Sequence, residues 1–132
     1  MNLLSNSIIA SGPVIIENNK VLLNRENKPE GISPWMFPGG EVENFDKSLE
    51  DTCQREVMEE MGIEVKIIKP LRPIMINKGD RVIILIHYLA ERIGEIKPGL
   101  EIAEWNWWDT DNLPDNCAHN VYEIINDLKK YE

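Results

Sequence analysis

Residues 54–65, QREVMEEMGIEV, decide how this sequence is read. They set Glu56, Glu59, Glu60 and Glu64 among apolar side chains and a single glycine. With about 100° of rotation per residue, Leu49, Cys53, Val57 and Met61 share one broad side of a helix, which should face a core. Glu56, Glu59 and Glu60 stand at i, i+3 and i+4 and therefore neighbour one another. Glu56 and Glu60 fall only about 20° to either side of the Leu49 direction, within the apolar sector. Unpaired carboxylates placed there repel one another and lose solvation, at an expected cost of several kcal/mol. A divalent cation removes that cost, and hard cations such as Mg²⁺ take oxygen ligands. The alternative is a solvated helix laced by pairs such as Arg55–Glu59, and that structural role is the expected one for Arg55.

The flanks of the stretch support a built site. Gly62 stands where a helix terminates in the left-handed conformation. Upstream, Ser48-Leu49-Glu50-Asp51 has the S-x-x-D form of a helix start, with Asp46 or Ser48 as the N-cap. Before that comes the tight turn of Phe37-Pro38-Gly39-Gly40. Residues 46–61 thus read as a helix entered from a glycine turn.

Outward from this helix the chain alternates strand signals and breakers. Residues 7–17 and 20–26 read as two strands joined at the turn Asn18-Asn19-Lys20, a hairpin. Residues 27–34 form a loop and residues 35–37 a short apolar piece. Residues 63–76 are strand-like but cut by prolines, residues 80–92 form the strongest strand, 93–101 a loop, and 102–109 a further strand. In the tail, residues 118–132, Val121, Ile124, Ile125 and Leu128 recur at i, i+3, i+4 and i+7, so a second helix is expected, with lysines at its negative pole. Strands interleaved with two helices imply an α+β domain spanning residues 1–132, an α/β/α sandwich around a mixed sheet.

Composition narrows the function. A net charge of −9 argues against a nucleic-acid groove, which needs a basic face. It leaves room for an anionic small molecule if a cation stands between ligand and acids. Cys53 and Cys117 are far apart and form no metal-type spacing, as expected of reduced thiols in a cytoplasmic protein. The opening residues 1–16 lack a basic run before an apolar core, so no signal peptide is expected, and no run reaches the ~18 apolar residues of a membrane span.

The stretch from Gly39 to Ile63, GGEVENFDKSLEDTCQREVMEEMGI, resembles the signature of the Nudix hydrolases: glycine, five residues, glutamate, seven residues, then Arg-Glu-apolar-x-Glu-Glu-x-Gly-apolar. Residues 55–63 match in full, and the resemblance extends to WMFPGGEVE, to VLLNRE and to EWNWWDTDNLP. The front half departs from it. Fourteen residues separate Gly40 from Arg55 where the family has thirteen, so the early glutamate is replaced by Asp46 counting forward or by Lys47 counting back.

The resemblance implies Mg²⁺- or Mn²⁺-dependent hydrolysis of a nucleoside diphosphate linked to a further group. The expected substrate is a nucleoside triphosphate, giving monophosphate and pyrophosphate. Rival readings are a nucleotide-sugar or ADP-ribose pyrophosphatase, and a non-catalytic nucleotide-binding module left by the altered front half. Carried over by position, Glu56, Glu59 and Glu60 are the catalytic and metal-binding acids, with the Gly39 carbonyl as a further ligand. A later acid is expected from Glu101, with Glu104 in reserve. Arg25, Gly40, Lys47, Trp35 and Asn120 are the expected substrate contacts, Asn120 near the base. His87 is expected to be a satisfied structural histidine. The expected partner is a small nucleotide, and the expected assembly a monomer or homodimer.

Overall fold

The computed structural model describes residues 6–130. Residues 1–5, on which part of the reading of a non-secretory start rests, lie outside the described residues, as do Tyr131 and Glu132 of the expected second helix. No described helix is long and apolar enough to cross a membrane.

Strand β1 (Ile8–Val14) runs parallel to the long β8 (Val82–Ile93), with Ile8 opposite Ile83 and Val14 opposite Leu89. The short β5 (Gly40–Glu41) pairs antiparallel with the other edge of β1. Along the far edge of β8 lie two strands in succession, β6 (Glu64–Pro70) and β7 (Ile74–Asn77), both antiparallel to it. The apolar run of residues 63–76 is thus two strands, because proline donates no ladder hydrogen bond and Pro70 and Pro73 bracket the break. These five strands form the expected mixed sheet.

A second, antiparallel sheet stands beside it. Its centre is β3 (Lys20–Lys28), flanked on one edge by β9 (Ile102–Asp109) and on the other by the two-residue strands β2 (Ile16–Glu17) and β4 (Gly31–Ile32). The β2–β3 turn forms as expected. Asn18 and Asn19 both have positive φ, 53° and 63°, as a two-residue hairpin with right-handed strand twist requires. The Asn19 carbonyl accepts the Thr110 N–H at 3.0 Å, which ties the turn to the end of β9.

Side-chain alternation in β1 and β3 places the helices. Val14, Val21 and Leu23 point into a core completed by Trp35, Phe37, Ile74 and the apolar face of α2 (His119–Lys130), namely Val121, Ile124 and Ile125. Their neighbours Ile15 and Leu22 point the other way, into a core with Val57 and Met61 of α1 (Leu49–Met61), Ile63, Val65 and Ala90. The two helices therefore cover opposite faces.

Helix α1 is closed at both ends. The Ser48 hydroxyl accepts the Asp51 N–H at 3.0 Å, so Ser48 is the N-cap, and Asp51 accepts the Lys47 N–H at 3.2 Å. Gly62 is left-handed at φ 67° and donates to the Met58 carbonyl. The loop before β9 satisfies two more carbonyls: Lys97 N–H binds the Met61 oxygen at 2.7 Å and Gly99 N–H the Glu60 oxygen at 2.8 Å.

Candidate active site

The turn of residues 37–40 presses against the last two turns of α1. Gly39 has φ 149°, a conformation costly for any side chain, and a Cβ there would lie 2.7 Å from the Ser11 carbonyl oxygen. Freed of a side chain, its N–H reaches Glu60 and donates to Oε1 at 2.7 Å. Glu60 is 5% exposed, and its Oε2 is buried without a partner. Burial, then the nearby Glu26, push the Glu60 carboxyl up to about 9, against the pull of the Gly39 N–H.

Glu56 packs against Gly40 so closely that a side-chain carbon at Gly40 would overlap its carboxylate. Burial raises Glu56 to about 7, opposed by Arg55 and reinforced by Glu59. Gly40→Ala is accordingly expected to displace Glu56 and cut turnover about 100-fold, the scale of a 1 Å misplacement. Melting temperature alongside kcat checks this: an active Gly40→Ala variant would show that Glu56 can sit elsewhere.

Glu59 behaves differently. It is 58% exposed and leans on Arg55 at 3.4 Å. Among the described residues, no group of three or more His, Cys, Asp or Glu side chains is arranged to hold a metal ion. Glu56 and Glu60 meet at the glycine turn, while Glu59 lies on the outer side of the helix. The cause is local: Arg55, four residues earlier, offers Glu59 a cation on the outer side. Arg55 also binds Asp46 through two hydrogen bonds, of 2.9 and 2.8 Å, and the Glu41 carbonyl at 3.1 Å.

Other expected contacts are redistributed. Arg25 stands opposite Glu104 in the β3–β9 register and pairs with it at 2.7 Å, while its Nε donates to the Ser33 carbonyl at 2.8 Å. Its guanidinium and the Glu104 carboxylate thus pair at the edge of the second sheet. Glu101 is exposed and counts among the charges that raise Glu60. Trp35 is corrected to a core residue: it is 8% exposed and packs edge-on against Trp108 at 5.1 Å. Lys47 is exposed and makes no ion pair among the described residues. Sequence reasoning missed Glu26, which acts on Glu60 and is itself raised, first by burial. Counting two by two along β3 from Leu22 would have placed it on the α1 side.

The glycine turn also borders a cavity of about 170 Å³, lined by Ala10, Ser11, Phe37, Leu85, His87 and Asn120 among others. Asn120 Nδ2 lies 3.4 Å from His87 Nε2, and Phe37 meets the imidazole edge-on at 4.9 Å. Burial pulls His87 down to about 4, so it is neutral at neutral pH. His87 Nδ1 and Ser11 Oγ are buried without partners, which corrects the expectation of a satisfied histidine. His119, by contrast, is 84% exposed and pairs with Glu123.

A buried acidic helix, a glycine turn and an adjoining cavity form one unit, and the NUDIX domain family model matches residues 9–128. The chain belongs to the Nudix family. It is 31% identical over 125 residues to the 8-oxo-dGDP phosphatase NUDT18 of Danio rerio, covering 91% of this chain and 38% of that protein. It is also 31% identical over 131 residues to an ADP-ribose pyrophosphatase of Methanocaldococcus jannaschii, covering 94% of this chain and 74% of the relative. The chain thus spans well under half the length of the first relative. Among solved structures, the MutT protein of Methanosarcina mazei superposes with a TM-score of 0.83 over 98% of both chains at 22% identity, which establishes the Nudix fold.

Nudix hydrolases generally use divalent metal ions. The residues present fit one: the donors are hard carboxylate oxygens, and the orphaned Glu60 Oε2 is a buried acceptor in want of a cation. Bound charge would also reverse the upward shifts of Glu56 and Glu60.

Proposed function

We propose that this Nudix chain hydrolyses the pyrophosphate bond of a nucleoside diphosphate linked to a further group, and that its substrate is a nucleoside triphosphate, cleaved to monophosphate and pyrophosphate. The observation that carries the reading is the glycine turn itself. One side of it meets Glu56 and Glu60, and the other borders a cavity of base-like size with neutral polar groups in its wall. A base in the cavity, near Asn120, directs its phosphates along the turn toward the acids.

In this reading Glu56, Glu59 and Glu60 hold Mg²⁺ or Mn²⁺, with the Gly39 carbonyl and Glu101 as further oxygen donors. The ion supplies charge neutralisation on phosphate oxygens and a lowered pKa for the attacking water. Glu56 receives the water's proton on a carboxylate oxygen and orients the nucleophile in line with the leaving phosphate. Gly40 leaves room for the Glu56 carboxylate, which any side chain there would displace. A small nucleotide is the partner, and a cytoplasmic location fits the two free thiols. The second reading, hydrolysis of ADP-ribose, is favoured by the name and coverage of the archaeal relative.

A panel of nucleoside triphosphates, nucleotide sugars and ADP-ribose, run with Mg²⁺ and Mn²⁺ in ¹⁸O-water, tests this. Monophosphate and pyrophosphate are expected, with label in one product only. Diphosphate plus free phosphate would sink the triphosphate reading, and turnover of ADP-ribose alone would establish the second one.

A further inference from the structure

Among the described residues, the strands longer than two residues that lie at a sheet edge are β6, β7 and β9. Two of them carry devices that block the addition of a further strand. Strand β6 has Lys66, Lys69 and Pro70, and its register against β8 shifts between Ile67 and Lys69. Strand β9 has Glu104 and Asp109, and its register against β3 shifts between Arg25 and Glu26. Charges, prolines and bulges of this kind keep native edges from pairing with another chain. Strand β7, Ile74-Met75-Ile76-Asn77, has none of them. It carries no charge and no proline, and its register runs unbroken from Ile74 opposite Leu85 to Asn77 opposite Val82. Among the described residues it pairs with β8 alone, so the backbone groups of its other edge are turned outward. Met75 is 66% exposed on this strand, and the apolar row it begins continues across the sheet through Ile84 to Ile9.

The two ends of β7 differ in charge. At its start Arg72 is outnumbered by two carboxylates of α2, Asp127 at 2.7 Å and Glu123 at 3.4 Å. At its end the turn of residues 78–81 carries Lys78 and Arg81 against the single acid Asp80. That turn is closed by the Lys78 N–H donating to the Arg81 carbonyl at 2.9 Å, with Gly79 at φ 87°. When two copies of β7 pair antiparallel about a twofold axis, the start of each meets the end of the other. The α2 carboxylates then face the basic turn of the second copy, at both ends of the contact. From the open edge and this match of charge, we infer that β7 is the interface of a homodimer in which the two mixed sheets join edge to edge. The chain is its own complement here, and no foreign strand is required. A groove of about 540 Å³ between β7 and the start of α2 borders this interface, and its wall includes Asn120, which also lines the smaller cavity.

Sedimentation equilibrium of the full chain, with hydrogen exchange of the β7 amides in dilute and in concentrated protein, tests this. A four-residue strand contact is small, so a dissociation constant of about 10–100 μM is expected, at the weak end of specific association. The outward amides of β7 are expected to exchange more slowly in the concentrated sample. Met75→Lys places a charge on the edge and is expected to leave a monomer throughout the range. Lys78→Glu and Glu123→Lys are each expected to weaken the dimer about tenfold, because each sets like charges against one another at both ends. An equimolar mixture of the two is expected to regain the parent's affinity, since both ends are then complementary again. Met75 and Lys78 are exposed, so their variants keep the fold, which circular dichroism checks. A parent that stays monomeric at the highest concentration would overturn the inference. So would a dimer whose β7 amides exchange alike at both concentrations, a dimer that survives Met75→Lys, or a mixture that associates no more tightly than the separate charge variants.

Discussion

Glu56→Gln is expected to lower kcat about 1,000-fold while leaving KM within about threefold, the signature of a group that acts mainly in the transition state. The substitution keeps the side chain's shape against Gly40, so the turn and the cavity should persist. It removes the proton acceptor and half of the oxygen donors. The side chain is 16% exposed, shielded enough to be raised to about 7 by burial but reachable from the turn. An acid poised there can accept a proton near neutral pH, whereas an ordinary surface glutamate is a weaker base. Steady-state rates beside single-turnover rates and direct binding of a non-hydrolysable analogue separate the effects. A loss shared equally between binding and chemistry, or a kcat within tenfold of the parent, would remove Glu56 from the reaction.

Glu60→Gln should do two opposite things. In metal-free protein, the Glu60 carboxyl is raised to about 9 from an ordinary value of 4.5. Between those values the folded chain binds a proton that the unfolded chain has released, so stability falls as pH rises. The stabilising share is complete below about pH 4.5 and gone above about 9; at pH 7 the loss is about 3 kcal/mol by linkage. Metal-free parent is therefore expected to melt lower at pH 8 than at pH 5. Glu60→Gln removes the Glu60 share of this slope, leaving the smaller share from Glu56 and Glu26, because the amide oxygen can still accept the Gly39 N–H and carries no charge. It should melt several degrees above the parent at pH 8. Added Mg²⁺ or Mn²⁺ reverses the ranking, raising the parent's melting temperature by mass action and the variant's far less, while turnover in the variant nearly vanishes. Parallel pH profiles in parent and variant, or equal metal-induced shifts, would show that Glu60 bears neither the buried proton nor the ion.

Much of this was legible in the sequence where the deciding forces are local. Helix α1 announced itself by period, its Ser48 cap and Gly62 terminator by residue type, and the Asn18–Asn19 turn by its tolerance of positive φ. Strand β9 was bounded correctly because breakers flank it. What stayed hidden depends on partners distant along the chain. The two-residue strands β2, β4 and β5 exist only through their pairing, and the division into two sheets is a matter of which edges meet. Arg25 could not be seen to face Glu104 without the β3–β9 register, nor Trp35 to lie against Trp108. The two readings of the irregular loop, at Asp46 or Lys47, were separable only by seeing which side chain met Arg55. The unpartnered nitrogen of His87 was likewise invisible, since burial of a polar group follows from packing, whereas strand alternation could have put Glu26 on the α1 side but not beside Glu60.

The alternation along β1 and β3 has a consequence for how such a chain can diverge. Val14 beside Ile15, and Val21 and Leu23 around Leu22, send consecutive side chains to opposite helices. A change of volume at one of these positions is transmitted through the shared backbone to its neighbours, and so from the layer under the cavity to the layer under the acids. Variation in ligand preference is then easiest to accommodate at cavity residues outside β1 and β3, such as Leu85, His87 and Asn120, and at the exposed loops, while the strands that serve both layers accept change only as a set. Selectivity can wander in this architecture without dragging the chemistry along with it.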